Sequence, residues 1–461
     1  MSLIKSISGI RGTIGGKIGE NLTPIDTVKF ASAYGTWLKC KLNKEKIKVV
    51  LGRDARISGP IISDLVSSTL QGVGIDVIDL GLSTTPTVEI MVPYLHADGG
   101  IIITASHNPK QWNALKLLNA KGEFISDKDG KELLNIADTE NFDFVEVDGL
   151  GSYIKVNHAI EVHIDKILDL PLVDVDLIKK AGFKIVVDAV NSTGGISVVP
   201  LLKKLDVEVI EMYCTPNGHF PHNPEPLEVN LGEIMKRVPR EKADLGIVVD
   251  PDVDRLAFIC EDGTMFGEEY TLVAISDYVL SVTPSTTVSN LSSSRALRDI
   301  SGKYNQEYQA SAVGEVNVVS KMKDTKALIG GEGNGGVIYP ELHYGRDSLV
   351  GIALFLSYLA KRKTSVKQLR NTYPSYFMGK KKIDLSPEIN TDLILQKLTD
   401  KYKNEDIKTY DGLKIDFPDN WVHLRKSNTE PIIRIYTEAH TQQEADQLAD
   451  RFIEEIKQIS R

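Results

Sequence analysis

Asp250, Asp252 and Asp254 alternate with Pro251 and Val253 directly after the apolar run Gly-Ile-Val-Val. Carboxylates held this close outside bulk water repel one another unless a cation compensates. All-oxygen ligation suits a hard divalent ion, Mg²⁺ rather than zinc. An Asp-rich turn or helix cap is the plainer alternative, but a turn needs one aspartate and not three. Arg255 follows at once, placed either to pair with the cluster or to reach a bound phosphoryl group.

A second polar loop is Thr104-Ala105-Ser106-His107-Asn108-Pro109. A serine beside a histidine signifies little alone, because neighbours in an extended chain point apart. Alignment is what singles Ser106 out. ADGGIIITASHNP (97–109) matches ADLGIVVDPDVDR (243–255) without gaps, which sets Ser106 opposite Asp252. A serine facing a metal-bound phosphate is a good phosphoryl acceptor. KALIGGEGNGG (326–336) has the same shape, and its glycines allow close backbone approach while Glu332 and Asn334 can accept and donate hydrogen bonds to vicinal hydroxyls. A flexible surface turn explains that stretch equally well. Finally, Arg425-Lys426-Ser427-Asn428-Thr429-Glu430-Pro431, with Arg434 beyond, gathers guanidinium, hydroxyl and amide donors suited to a phosphate dianion. A solvated hairpin turn is the alternative there.

These loops need strands to carry them. Short β-branched runs alternate with amphipathic stretches, the pattern of α/β units with largely parallel sheets. One unit runs KIKVVLGRD, SGPIISDLVSSTLQGVG, IDVIDLG; another runs FKIVVDAV, GGISVVPLLKKL, DVEVIEMY; a weaker one begins at STTVSNLSSSRALRDIS. Ligand loops in such sheets sit at the carboxyl ends of strands, so the three loops belong to equivalent ends of three related domains. From about residue 372 the pattern changes to hairpin-like strands at 413–417, 421–426 and 432–439. A closing helix follows, with a capping box on Thr441 and Glu444 and an apolar stripe of Ala445, Leu448, Ala449, Phe452, Ile453 and Ile456. The expected domains are 1–152, 153–256, 257–371 and 372–461.

Composition narrows the function. At 461 residues, with 42% hydrophobic and 25% charged residues, the chain is globular and large enough for several cores. Its 54 basic against 63 acidic residues, without a basic block, argue against nucleic acid as partner. The longest mostly apolar stretch, Val350 to Ala360, is too short to span a bilayer, and the N-terminus lacks a signal-peptide pattern, so the cytoplasm is the expected location. Cys40, Cys214 and Cys260 suit neither a disulfide framework nor a metal site and read as core thiols.

Taken together, TASHNP, DPDVDR, GEGNG and RKSNTEP resemble, in order, the phosphoserine, metal, sugar and phosphate loops of the alpha-D-phosphohexomutases, and the likeness runs from Gly9-Ile10-Arg11-Gly12 to the final helix. The resemblance implies an α/β fold of three related mixed-sheet αβα domains plus a smaller C-terminal α+β domain around a central cleft. It implies a phosphoserine at Ser106, itself facing Mg²⁺ held by Asp250, Asp252 and Asp254, with Arg255 near the phosphoryl group. It assigns sugar hydroxyls to Glu332 and Asn334, and substrate phosphate to Arg425, Ser427, Asn428 and Thr429, with Arg434 beside them. Two departures stand out: Gly336 lies where many relatives carry histidine, and Asn113-Ala114-Leu115-Lys116 replaces the usual Asn-Gly-x-Lys. Lys116, Arg11 and His107 remain as groups able to move a proton near Ser106, Lys116 first by analogy.

The implied reaction interconverts hexose 6-phosphate and hexose 1-phosphate through a 1,6-bisphosphate. Glucosamine phosphate is the first expectation for the substrate, with mannose and glucose phosphates next. A metal-dependent serine phosphatase would use the same serine and aspartates but would need neither the sugar nor the phosphate loop, and a non-catalytic sugar-phosphate sensor would not need Ser106 and all three aspartates intact. The oligomeric state is not readable from the sequence.

Overall fold

The computed structural model describes residues 2–6, 9–386, 390–426 and 432–460. By internal packing the chain forms two compact units, residues 1–279 with 334–370, and residues 280–333 with 371–461.

The first unit contains two mixed sheets. In one, seven strands run in the order Ile4–Ser6, Gly9–Thr13, Trp112–Asn119, Gly99–Ile103, Lys48–Arg53, Asp76–Leu82, Tyr153–Lys155. The strands at 48–53, 76–82 and 99–103 are parallel, and 112–119 returns antiparallel to 99–103. Helices Pro24–Leu42 and Gly59–Gly72 pack on this sheet, burying Phe30, Tyr34, Val66 and Leu70 against Val49, Leu51, Ile101 and Ile103. Helix Pro24–Leu42 starts where the sequence can stop it fraying: Thr23 and Asp26 form a complete capping box.

The second sheet has the order Leu256–Cys260, Leu245–Val249, Lys184–Asp188, Glu208–Met212. Strand 245–249 is parallel to 184–188 and antiparallel to 256–260, in register Val249 to Leu256. The gapless internal match therefore has a structural basis. In both copies a fully buried strand runs into a polar loop and an antiparallel strand brings the chain back. Helix Ser348–Arg362 completes this unit, capped by Asp347, whose carboxylate accepts the amide hydrogens of Leu349 and Val350.

In the second unit, strands Tyr308–Ser311, Thr287–Asn290 and Ile329–Glu332 are parallel, and Glu332 ends the last of them. The C-terminal part is an antiparallel five-stranded sheet, ordered Phe377–Asp384, Ile432–Ala439, Trp421–Lys426, Leu413–Asp416, Asp406–Lys408. Helix Gln442–Ile459 buries Ala445, Leu448, Ala449, Phe452 and Ile456 as the stripe requires, while Ile453 is only partly covered. Its cap is half a box. Thr441 Oγ1 accepts the Glu444 amide hydrogen, and the reciprocal bond is not formed. The thiols also correct one expectation, since Cys260 is buried but Cys40 is exposed, one turn from the end of an amphipathic helix.

Candidate active site

Ser106 sits just after strand 99–103 with a positive φ of 48°, a conformation that costs a residue other than glycine roughly 1–3 kcal/mol and persists only when its surroundings impose it. Two groups do so. Thr104 Oγ1 accepts the Ser106 amide hydrogen at 3.0 Å and donates to Asp54 at 2.6 Å. Arg56, buried and ion-paired to Asp54 at 3.0 Å, donates to the carbonyls of Ser106, Asn108, Pro109 and Trp112. One guanidinium thus fixes the whole loop by its backbone.

Held there, Ser106 Oγ donates to Asp250 Oδ2 at 2.6 Å. Asp250, Asp252 and Asp254 are buried, and one oxygen of each lies within 4.8 Å of the others. Every carboxylate is aimed by a partner. Asp250 Oδ1 accepts the amide hydrogens of Asp254 and Arg255, and Asp252 Oδ2 accepts from Thr85 Oγ1 at 2.6 Å and Lys116 Nζ at 2.7 Å. Asp254 Oδ2 accepts from Arg346 at 2.7 Å and Lys116 at 3.3 Å. The remaining oxygens, Oδ1 of Asp252 and of Asp254, are buried with no hydrogen-bond partner. Orphaned carboxylate oxygens on two of three clustered buried acids fit a metal ion, since each would otherwise carry an uncompensated desolvation cost. Among the described residues this is the one cluster of its kind.

The electrostatics follow. Burial, then Asp252 and Asp254, hold the Asp250 carboxyl well above the usual range. Burial also acts against ionised Asp252, but Lys116 and Thr85 overcome it and keep that acid low. Burial opposes the Lys116 ammonium too, yet Asp252 and Asp254 raise its pKa above that of an ordinary lysine. Lys116 is therefore charged, a donor and not a base in this arrangement. His107 Nδ1 lies 3.4 Å from Ser106 Oγ; burial, Arg255 and Arg11 push its pKa down to about 2, so the ring is neutral. Arg11 donates to Asn108 Oδ1 at 2.8 Å. The Arg255 side chain turns to Glu225 at 3.2 Å while its Nε stays buried and unpartnered, so Arg255 touches the cluster by its backbone amide and acts on Asp250 by its charge across space.

The boundary between the units cuts the glycine-rich stretch 331–336, while Arg425 and Arg434 both belong to the second unit. Asn334, in the first unit, accepts the Gly336 amide hydrogen at 3.2 Å. In the second unit, Glu332 is buried and its Oε1 accepts from Asn290 Nδ2 at 2.9 Å and from the Gly314 amide at 3.1 Å. Arg425 and Arg434 stand directly opposite on neighbouring strands, and Lys382 faces Arg434 on the next. Like charges so paired destabilise a sheet unless an anion accompanies them. Among the described residues Arg425 is ion-paired to Asp411 at 3.1 Å, and Lys382 to Asp384 at 3.3 Å. Ser427, Asn428 and Thr429 lie outside the described residues.

Four residues of this site escaped the sequence reading: Asp54, Arg56, Thr85 and Arg346. Arg56 carried a signal, because Asp54-Ala55-Arg56 follows strand 48–53 as the other polar loops follow theirs. Thr85 and Arg346 reach the aspartates only through tertiary packing.

Sequence models of the phosphoglucomutase/phosphomannomutase family match this chain in four consecutive parts, with alpha/beta/alpha domains I, II and III at residues 4–144, 161–263 and 267–376 and the C-terminal domain at 380–455. A phosphoglucomutase/phosphomannomutase of Thermococcus kodakarensis is 35% identical over 440 residues, covering 94% of this chain and 95% of that protein. A phosphoglucosamine/phosphogalactosamine mutase of Sulfurisphaera tokodaii is 32% identical over 470 residues, covering 100% and 99%. Among solved structures, a phosphoglucomutase/phosphomannomutase family protein from Burkholderia thailandensis superposes with a TM-score of 0.84 at 26% identity, covering 99% of this chain and 98% of that one. Four domain matches in order, a full-length relative above 30% identity and a buried three-aspartate centre facing a serine lead to one conclusion: this chain belongs to the phosphoglucomutase/phosphomannomutase family and is a sugar-phosphate mutase.

Proposed function

We propose that the chain interconverts the 6-phosphate and 1-phosphate of a hexose, glucosamine first, through a phosphoserine at Ser106. The observation that carries this reading is the 2.6 Å bond from Ser106 Oγ to Asp250 beside the two orphaned carboxylate oxygens. A phosphoryl group on Ser106 would meet that centre directly. Mg²⁺ on Asp250, Asp252 and Asp254 would neutralise charge on the transferring oxygens.

In the forward direction the sugar's free hydroxyl attacks phosphorus, the bond to Ser106 Oγ breaks, the hydroxyl's proton is in net passed to Ser106 Oγ, and a hexose bisphosphate results. The other phosphoryl group then returns to Ser106 Oγ, leaving the isomeric monophosphate. No water is consumed. This chain's groups have distinct tasks. Arg56 and Thr104 hold Ser106 in place, and Lys116, charged and within reach of the aspartates, supplies a proton donor near the leaving oxygen. Arg11 and His107 flank the serine, one fixing Asn108 and the other presenting a neutral ring. Glu332 and Asn334 take the hydroxyls that stay unmodified. Arg425, with Ser427, Asn428, Thr429 and Arg434, takes the phosphate that is not reacting. Support for that last assignment is the row of Arg425, Arg434 and Lys382 across three strands, whose mutual repulsion a phosphate dianion relieves.

We place the working domains at 1–152, 153–256, 257–371 and 372–461, and the enzyme in the cytoplasm, where free thiols such as Cys40, Cys214 and Cys260 stay reduced. Among the described residues no helix is long and apolar enough to cross a membrane. Glucosamine is put first on the amino-sugar mutase name of the full-length Sulfurisphaera tokodaii relative, and the phosphoglucomutase/phosphomannomutase name of the Thermococcus kodakarensis relative keeps mannose and glucose as the alternative. The test is a panel of glucosamine, mannose and glucose 1- and 6-phosphates assayed for isomerisation with the matching bisphosphate present. Faster turnover of glucosamine phosphate supports the substrate; equal or faster turnover of the neutral sugars replaces it, and release of inorganic phosphate without isomerisation replaces the reaction.

A further inference from the structure

Gly336 is a glycine for a reason its backbone does not supply. Its φ lies outside the left-handed region, so any residue could adopt it, but a Cβ there would stand 2.3 Å from Arg346 Cδ and 3.1 Å from Arg346 Cγ. The side chain of Arg346 runs through the space that a side chain at 336 would fill. It ends 2.7 Å from Asp254 Oδ2.

The segment bearing Arg346 is tied down on both sides. Asp347, the next residue, accepts from the buried His163 Nε2 at 2.9 Å and caps helix 348–362. The Ser348 amide donates to the carbonyl of Val253 at 3.1 Å, inside the aspartate loop itself. Val253 has a φ of 63°, a costly conformation for a β-branched residue, so the loop needs outside support. Arg346 is buried, and its position is set by anchors on the loop it serves.

The carboxylates show what this achieves. On Asp252, Lys116 and Thr85 take Oδ2 and leave Oδ1 unpartnered; on Asp254, Arg346 and Lys116 take Oδ2 and again leave Oδ1 unpartnered. On these two acids protein donors hold one oxygen and leave the other buried without a hydrogen-bond partner, free to ligate. Donors behind the ligands of a metal commonly set ligand orientation in this way, and losing one typically weakens binding about 10–100-fold.

We infer that Arg346 is a positioning residue that aims Asp254 at the divalent cation, and that glycine at 336 is required to let it through. The inference rests on the reading of the three aspartates as a metal site, but not on the identity of the sugar or on turnover. Mg²⁺ titrated by calorimetry into the whole protein, without sugar phosphate, tests it. Arg346→Met and Gly336→Ala should each bind Mg²⁺ about 10–100-fold more weakly than the parent, and the double variant should bind no more weakly than Arg346→Met alone, because both changes remove the same contact. Gly336→Ala keeps the guanidinium and its charge, so it carries the test should Arg346→Met fail to fold. Parent-like affinity in a folded Arg346→Met or in Gly336→Ala overturns the inference, as does tighter binding, which would make Arg346 a competitor of the cation. Additive losses in the double variant overturn it as well. A parent protein that binds no Mg²⁺ defeats the metal reading instead, and a parent that binds Mg²⁺ but isomerises no hexose phosphate defeats only the proposed reaction.

Discussion

At the scale of single residues, Arg56 shapes the site from behind the Ser106 loop. Arg56 spends its guanidinium on Asp54 and on four carbonyls of the 106–112 stretch, with the Phe220 ring 5.1 Å from its Cζ. Removing one side of a buried ion pair leaves the other uncompensated, so Arg56→Met should destabilise the protein by about 3–5 kcal/mol, read from urea unfolding. Arg56→Lys keeps the charge but lacks the fork, and should lose most of the same stability; parent-like midpoints for both would show that the loop holds its shape without the clamp. Glu332 is the second residue-scale test. Its Oε1 already accepts from Asn290 and Gly314, so the carboxylate is pre-aimed. Glu332→Gln should cost about 1–3 kcal/mol in kcat/KM on every accepted hexose phosphate while Ser106 phosphorylation persists. Undiminished kcat/KM would remove Glu332 from the sugar contacts.

At the scale of elements, each functional loop is a strand end steadied by a neighbour. Strand 184–188 ends in the buried Asp188, which His222 contacts at 3.0 Å from the loop that also supplies Glu225 to Arg255. Burial acts against the His222 imidazolium, but Asp188 outweighs it and the pKa rises above 6.5. A pKa raised by folding means that this pair stabilises the protein fully below the unfolded value, about 6.5, and ceases to as pH climbs through the folded one. His222→Gln should therefore lower Tm most near pH 6 and converge on the parent towards pH 9, as scanning calorimetry would show; a Tm gap that grows with pH contradicts the pairing. The internal repeat made these strand ends legible, because Ala-Asp-x-Gly followed by three apolar residues encodes a buried strand and its polar loop in both copies. The closing helix was legible from its stripe, although Ile453 at the edge of that stripe is half-buried, since period alone does not say how wide the covered face is. What the sequence could not show is Thr85 and Arg346, which lie 167 and 92 positions from their aspartate partners. Cys40 misled for a related reason, since a thiol's apolar character does not decide which side of a helix it occupies.

At the scale of the whole molecule, three buried aspartates meet one lysine and one arginine, a cluster that a divalent cation would help to balance. A ligand that binds only the native state stabilises it by RT ln(1 + [L]/Kd), about 2.7 kcal/mol at a hundredfold excess over Kd. Saturating Mg²⁺ should therefore raise the unfolding free energy of the parent by about that amount, and Asp252→Asn should lose most of the gain; an equal gain in both would place the cation elsewhere. The central claim, that Ser106 carries the phosphoryl group between sugar positions, has a direct measurement. Protein bearing isotopically labelled phosphate is mapped by mass spectrometry and then chased with unlabelled hexose 6-phosphate in a single turnover. The account predicts label on Ser106 before the chase and on the sugar bisphosphate and monophosphate after it, with none as inorganic phosphate and no isomerisation by Ser106→Ala. Label that stays on the protein through turnover, or full isomerisation by Ser106→Ala, would contradict it.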